Sequence, residues 1–270
     1  DGDGDGDGDG DGDGDGDGDG DNCLDAEVAC DGLDEDCNGI IDDIDEGGDG
    51  FCDCLNIGII GKKGFAPASN FEAFLEGKGT VVERTTLENP GDTVDAAFLG
   101  KYEVLLVEYL PRALTAAETT AIHDWVASDG RGVITLIGYN FDNNNPAPER
   151  DRANGILDEF GLAYQGGYIL GQMTATFVPG HPTTNGVTSI NYIGGIAVGV
   201  TQPGDNTTIA TLVGNQTAGV AHQTAEGRVL VWGDEWLTFD SDWQGYPDVE
   251  PFWQNMFNWV QPQDFCQVIE

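Results

Sequence analysis

The alternation of apolar and polar positions divides the chain near residue 55. Beyond that point, "LNIGIIG" (55–61), "YEVLLVEYL" (102–110) and "GVITLIGY" (132–139) are apolar at successive positions, as strands covered on both faces are. "TVVERTT" (80–86) reads as a further strand. Between these runs the period changes to three and four. Phe71, Phe74 and Leu75 line one face of a helix in "SNFEAFLEGKG" (69–79). Ile122, Trp125 and Val126 do the same in "TAAETTAIHDWVASDG" (115–130). Ser69 with Glu72, and Thr115 with Glu118, stand at capping-box spacing, and Gly77 and Gly130 mark the stops. Further helices are predicted in "ERDRANGILDEFG" (149–161) and "PFWQNMFNWV" (251–260), with a β-rich stretch over roughly 162–232 between them. Strand and helix alternate and the strands are apolar on both faces. This predicts an α/β fold with a doubly wound, flavodoxin-like parallel sheet and added β-strands over residues 55–270.

Residues 1–54 show neither period. They hold 23 of the chain's 49 acids and none of its ten Lys and Arg, within a net charge of −39. Such a segment has too little to bury to order itself by collapse, so it is disordered, metal-loaded, cross-linked or assembled. The charge repels phosphate backbones and excludes nucleic acid as a partner, while it favours divalent cations. No apolar run approaches membrane-spanning length. Five of the six cysteines, Cys23, Cys30, Cys37, Cys52 and Cys54, crowd into this segment, with Cys266 near the far end. An even count in a coreless segment predicts disulfides and an extracellular or cell-surface location. The chain starts without Met and inside a repeat, so the repeat is expected to continue upstream.

The segment itself has two parts. Residues 1–22 alternate Asp and Gly, and 23–54 form a Cys/Asp-rich module. In an extended strand the alternation places Asp1, Asp3, Asp5, Asp7, Asp9, Asp11, Asp13, Asp15, Asp17, Asp19 and Asp21 on one face and glycine on the other. A carboxylate face invites bridging by calcium and self-association, and without cations the run is an acidic coil. Within the module, "DEDCNGIIDDID" (34–45) fits the spacing of a calcium loop. Asp34, Asp36 and Asn38 fall at 1, 3 and 5, Gly39 at the sharp turn, and Ile40 offers a carbonyl at 7. Asp42 and Asp45 follow at 9 and 12, with Asp where a bidentate Glu is usual. Calcium takes about six to eight oxygens, and alternate spacing lets one short loop wrap them around an ion.

"EVACDGLDEDCNGIIDD" (27–43) resembles the CDGxDxDCxGxxDD metal-binding repeats of bacterial cell-surface proteins. The Asp-Gly run is similar to thrombospondin type 3 calcium repeats, although it lacks their intervening apolar and Asn positions. Both resemblances imply an extracellular, metal-dependent stalk. Residues 55–261 resemble the class I glutamine amidotransferase-like fold in its ThuA-like branch, on the strand order, "HPTTNGV" (181–187) and "AEGRVLVWGDEWLT" (225–238). The family's catalytic members carry a cysteine at the elbow after a central strand. Here "LIGYNFDNN" puts Tyr139 there, and Thr183 replaces the acid that follows His-Pro. These departures imply a head without amidotransferase activity.

Open α/β sheets bind ligands at strand C-terminal ends, where Tyr139, Asn140, Asp142, Asp234, Glu235 and Trp236 are expected. In the same fold the final helix returns to the strands' N-terminal edge, which pairs Cys54 with Cys266 and leaves the other four cysteines to one another. His123, His181 and His222 lie apart and form no metal pattern, and Asn206 and Asn215 stand in glycosylation sequons. The expectation is an extracellular structural protein in which a calcium-binding stalk forms or spaces a filament and carries a non-catalytic head. One alternative is a surface adhesin or carbohydrate-binding module, whose head takes a glycan or a surface protein. Another is a hydrolase using Asp234 and Glu235.

Overall fold

A computed structural model describes residues 23–48, 50, 52–78, 81–140, 143–263, 265 and 266. The Asp-Gly carboxylates of Asp1 through Asp21, and Asp142, lie outside the described residues. Among the described residues, eleven strands and six α-helices follow Leu55. They are β1 (Asn56–Ile60), α1 (Ser69–Glu76), β2 (Val81–Thr85), α2 (Ala96–Leu99), β3 (Val104–Val107), α3 (Ala116–Ala127), β4 (Gly132–Thr135) and α4 (Ala147–Leu157). After them come β5 (Leu162–Gln165), β6 (Gln172–Phe177), β7 (Ser189–Ile193), β8 (Ala197–Val200), β9 (Asp205–Thr211), β10 (Thr217–Gln223), β11 (Arg228–Trp232), α5 (Asp240–Gly245) and α6 (Val249–Val260).

A nine-stranded sheet runs β2-β1-β3-β4-β11-β10-β9-β6-β7. Its first five strands are parallel, and the remaining four extend it antiparallel. β5 and β8 form a separate antiparallel pair. The fold is the expected doubly wound one, with the β-rich stretch supplying the antiparallel half.

Side chains alternate across the parallel strands. Val104 and Leu106 face a core shared with Phe71, Trp253 and Phe257 of α1 and α6. Leu105 and Val107 face Ile122, Trp125 and Ile156 of α3 and α4. Gly132 lets α6 come close, because a Cβ there would lie 2.1 Å from the Val260 carbonyl oxygen. The capping box of α3 forms as its spacing predicts: Thr115 accepts from the Glu118 N–H, and Glu118 accepts from the Thr115 N–H. That of α1 does not. Ser69 is already helical, and its hydroxyl donates to Asp240 at 2.6 Å instead. The tertiary partner outcompetes the local cap.

All six cysteines are paired, as Cys23–Cys37, Cys30–Cys54 and Cys52–Cys266. The expected Cys54–Cys266 bond is therefore corrected by two residues. The reason is the route of the C-terminal segment, which docks on the module rather than on the start of β1. Phe265 makes a parallel bridge with Ile41, and the Cys266 N–H donates to the Ile41 carbonyl at 2.8 Å. Cys52, Cys54 and Cys266 are at most 1% exposed and belong to the core between the sheet, α1 and α6. The module is thus sewn into the head, while its Leu24, Val28 and Leu33 stay exposed. Among the described residues, no helix is long and apolar enough to cross a membrane.

Candidate functional site

The front half of the acidic loop turns through local side-chain hydrogen bonds to its own backbone. The Asp34 carboxylate accepts from the N–H groups of Asn38 and Gly39 at 3.1 and 3.0 Å. Asp36 accepts from the Asn38 N–H, and the Asn38 side-chain oxygen accepts from the Ile40 N–H at 2.8 Å. Gly39 turns the chain at φ +92°, a conformation that glycine adopts without cost.

The back half departs from the expected calcium register. Asp42 is 3% exposed, and its carboxylate is consumed by the Asp31 and Gly32 N–H groups at 3.0–3.1 Å. Asp45 accepts from the Gly50 N–H at 2.8 Å. Asp42 sits at φ +55°, and that twist sends Asp42 and Asp43 in different directions. The carboxylates that converge are therefore Glu27, Asp36 and Asp43, with oxygens within 4.8 Å of one another. Of the six loop residues predicted as ligands, Asp36 alone belongs to this trio. Glu27 and Asp43 lie in the same Cys/Asp-rich stretch, but a fixed-spacing pattern does not find them. Glu27 arrives from across the loop, held by the Glu35 N–H at 3.0 Å.

The electrostatics of the trio are those of an unbalanced anion. The second Glu27 carboxylate oxygen is shielded from water and has no partner among the described residues. Burial, then its contact with Glu35, pushes the Glu27 carboxyl up to about 7. The Asn38 amide nitrogen donates to both Asp36 and Asp43, at 3.1 and 3.0 Å. A neutral N–H₂ thus bridges the carboxylates where a cation would offset more charge. An oxygen-only set suits a hard divalent ion such as calcium.

The strand C-terminal ends carry the other expected site, and there the structure is closed. After β4 the chain turns at Gly138 (φ +106°), so Tyr139 does stand at the elbow. The N–H groups of Gly138, Tyr139 and Asn140 converge, as donors for an anionic intermediate would. All three are taken by the buried Glu149 carboxylate of α4, at 2.8, 2.8 and 3.2 Å, and Tyr168 adds a hydroxyl at 2.7 Å. The Tyr139 hydroxyl is enclosed without a partner among the described residues, and burial with Glu108 and Glu235 nearby raises its pKa. Glu108 is itself clasped by Arg84.

Asp234 and Glu235 follow β11 and are both fully buried. Asp234 ties two loops together by accepting from Ile193 at 2.8 Å and Trp236 at 3.1 Å. Burial holds its carboxyl well above the usual range. Trp236 packs edge-on to Phe65 and Phe239. The structure brings the predicted residues to one edge of the sheet, but as packing and loop anchors. His123 is on the surface of α3 beside Asp124, and His181 begins a short turn. His222 is in β10 against Asn206.

The α/β part has solved counterparts. A cytoplasmic protein of Salmonella typhimurium LT2 is similar at 15% identity with a TM-score of 0.58, covering 77% of this chain and 100% of that one. The N-terminal domain of mmIFT52 is similar at 12% identity with a TM-score of 0.59, covering 76% and 96%. A ThuA-like protein of Bacteroides uniformis is similar at 16% identity with a TM-score of 0.52, covering 78% and 94%. No family model and no curated protein matches the chain. The head therefore shares the fold of ThuA-like, glutamine amidotransferase-like proteins.

Proposed function

We propose that this chain is an extracellular structural protein. Its acidic N-terminal part binds calcium and spaces or assembles copies, and its α/β head is carried without catalysis. The observation that supports this most is the Glu27, Asp36 and Asp43 trio inside a module held by three disulfides. Cross-links of this kind persist in oxidising compartments. Residues 23–54 contain no Lys or Arg, and backbone N–H groups and one neutral amide are what the trio's carboxylates meet among the described residues, so a divalent ion would add a charge that the module's own sequence lacks. The occupation of the elbow N–H groups by Glu149 supports the non-catalytic reading of the head.

Sedimentation velocity and electron microscopy of the full chain test the assembly. Calcium is expected to produce higher-order species that chelator disperses and that deletion of residues 1–20 abolishes. Assemblies that survive both treatments, or their absence at millimolar calcium, overturn the reading. A second reading, a surface adhesin, is favoured by one observation on the head, a polar cleft at the opposite edge of the sheet.

A further inference from the structure

The cleft lies where β11 begins and α6 ends, and none of its lining residues belongs to the carboxylate trio or the elbow. It measures about 310 Å³ and is lined by Pro182, Asn185, Arg228, Asn255, Asn258 and Trp259. That volume is at the lower end of the roughly 300–1,000 Å³ of small-molecule sites, enough for a single ring. Asn255, Asn258 and Trp259 share one face of α6 by their spacing.

Arg228 is the unusual member. Arg84 and Arg112 each clasp a glutamate. Among the described residues no carboxylate pairs with Arg228, in a chain with 49 acids and ten Lys and Arg. Its guanidinium donates to the Gln223 side-chain oxygen at 2.9 Å and to the Trp259 carbonyl, and lies 5.5 Å from the Trp259 ring centre. Burial, with no charge to oppose it, lowers its pKa. The groups it touches are neutral, so an anion entering the cleft would meet an uncompensated positive charge. The helix C-terminus at Trp259 offsets part of that charge, as a partial negative pole does.

Asn258 donates its amide N–H₂ to the Gly50 carbonyl at 3.1 Å. Its side-chain oxygen is shielded from water, so a ligand in the cleft does not reach it. The Asn185 side chain is exposed at the rim, so its amide is open to a hydroxyl. Asn255 is held by the Asn185 carbonyl at 2.8 Å, so the wall is set before any ligand arrives. Pro182 and the Trp259 rim give an apolar side, and among the described residues no acid lines the cleft to receive an ammonium group.

One ligand class answers these features together: a carboxylate for Arg228, a hydroxyl for the exposed Asn185 amide and a small ring against Pro182 and Trp259. We propose that this cleft binds a carboxylated monosaccharide unit, of the uronic-acid type, with Arg228 reading the carboxylate. A free amino acid lacks a partner for its ammonium among the described residues, and inorganic phosphate has no ring to set against Pro182 and Trp259. The proposal does not rest on calcium binding by the module.

The test is a ¹H–¹⁵N NMR titration of the full chain with galacturonic and glucuronic acid, beside galactose, glucose and acetate. It is run at about 0.15 M salt, where the Debye length of roughly 8 Å screens the chain's overall repulsion. The indole N–H of Trp259 and the Nε–H of Arg228 are the reporters. At least one uronic acid is expected to saturate these shifts, with its neutral counterpart and acetate roughly tenfold weaker or worse, about 1.4 kcal/mol. Asn185 is exposed at the rim, so Asn185→Trp should fill the cleft, leave the melting temperature unchanged and abolish the response. Arg228→Gln should erase the preference for acid over neutral sugar. Equal shifts with acetate would mean a general anion site and overturn the proposal. So would no saturation by either uronic acid, or an undiminished response in folded Asn185→Trp.

Discussion

The module and the head solve the same problem by different means. The head offsets its conformational entropy with apolar burial: Trp232, Trp253, Phe252 and Phe257 are all fully buried. The module leaves Leu24, Val28 and Leu33 exposed and holds its shape with cross-links and carboxylates that accept backbone N–H groups. One chain therefore contains a region held by the exclusion of water and a region held by disulfides and local carboxylate hydrogen bonds. The disulfides Cys30–Cys54 and Cys52–Cys266 are where the two meet.

The comparison breaks hardest in the head's core. Trp253 is fully buried, stacks 4.4 Å from Phe71 and donates its indole N–H to Leu237 at 2.9 Å. Trp253→Ala should cost about 3–5 kcal/mol by urea denaturation. The disulfides in the module should still form, as peptide mapping of non-reduced protein would show.

The junction comes next. Replacing both Cys52 and Cys266 with Ser opens a link between residues 214 apart in sequence and should cost roughly 2–5 kcal/mol. Limited proteolysis would then cut within residues 23–54 while the head's circular dichroism persists below its lowered melting point. Simultaneous loss of both regions would mean that they fold as one unit.

The smallest effect concerns pH. Asp242 is held against Asn191 at 3.2 Å, and burial pushes its carboxyl up to about 6 from a usual value near 3.8. A raised carboxyl pKa means that ionisation costs the folded state more than the unfolded one. This group's contribution to stability should therefore rise as pH falls through about 6 toward about 3.8. Asp242→Asn should raise the melting temperature at pH 7.5 by a few degrees and flatten that rise, read by calorimetry. An unchanged slope would remove Asp242 as its source.

Much of the fold is legible in the sequence because burial leaves a period. Doubly covered strands such as Val104–Val107, "VLLV", are apolar at every position, and the Thr115–Glu118 box forms as its spacing predicts. The misses share a cause, which is competition from distant residues. Ser69 prefers Asp240 to its own helix terminus. Cys266 meets Cys52 rather than Cys54 because Phe265 pairs with Ile41. The acidic loop illustrates both sides. Asp34, Asn38 and Gly39 behave as local spacing dictates. Glu27 reaches the cluster by folding back across the loop, and the positive φ at Asp42 turns that residue into a buried acceptor while Asp43 takes its place. The Arg228 cleft had no local signature, since its parts come from β11, α6 and the turn after His181.

The central claim is that Glu27, Asp36 and Asp43 hold calcium, and isothermal titration tests it directly. The full chain is compared with a Glu27→Gln, Asp36→Asn, Asp43→Asn variant whose disulfides are verified. The account predicts that the variant loses one calcium equivalent and retains any uptake by the Asp-Gly run. Identical titration curves for the two proteins would contradict it.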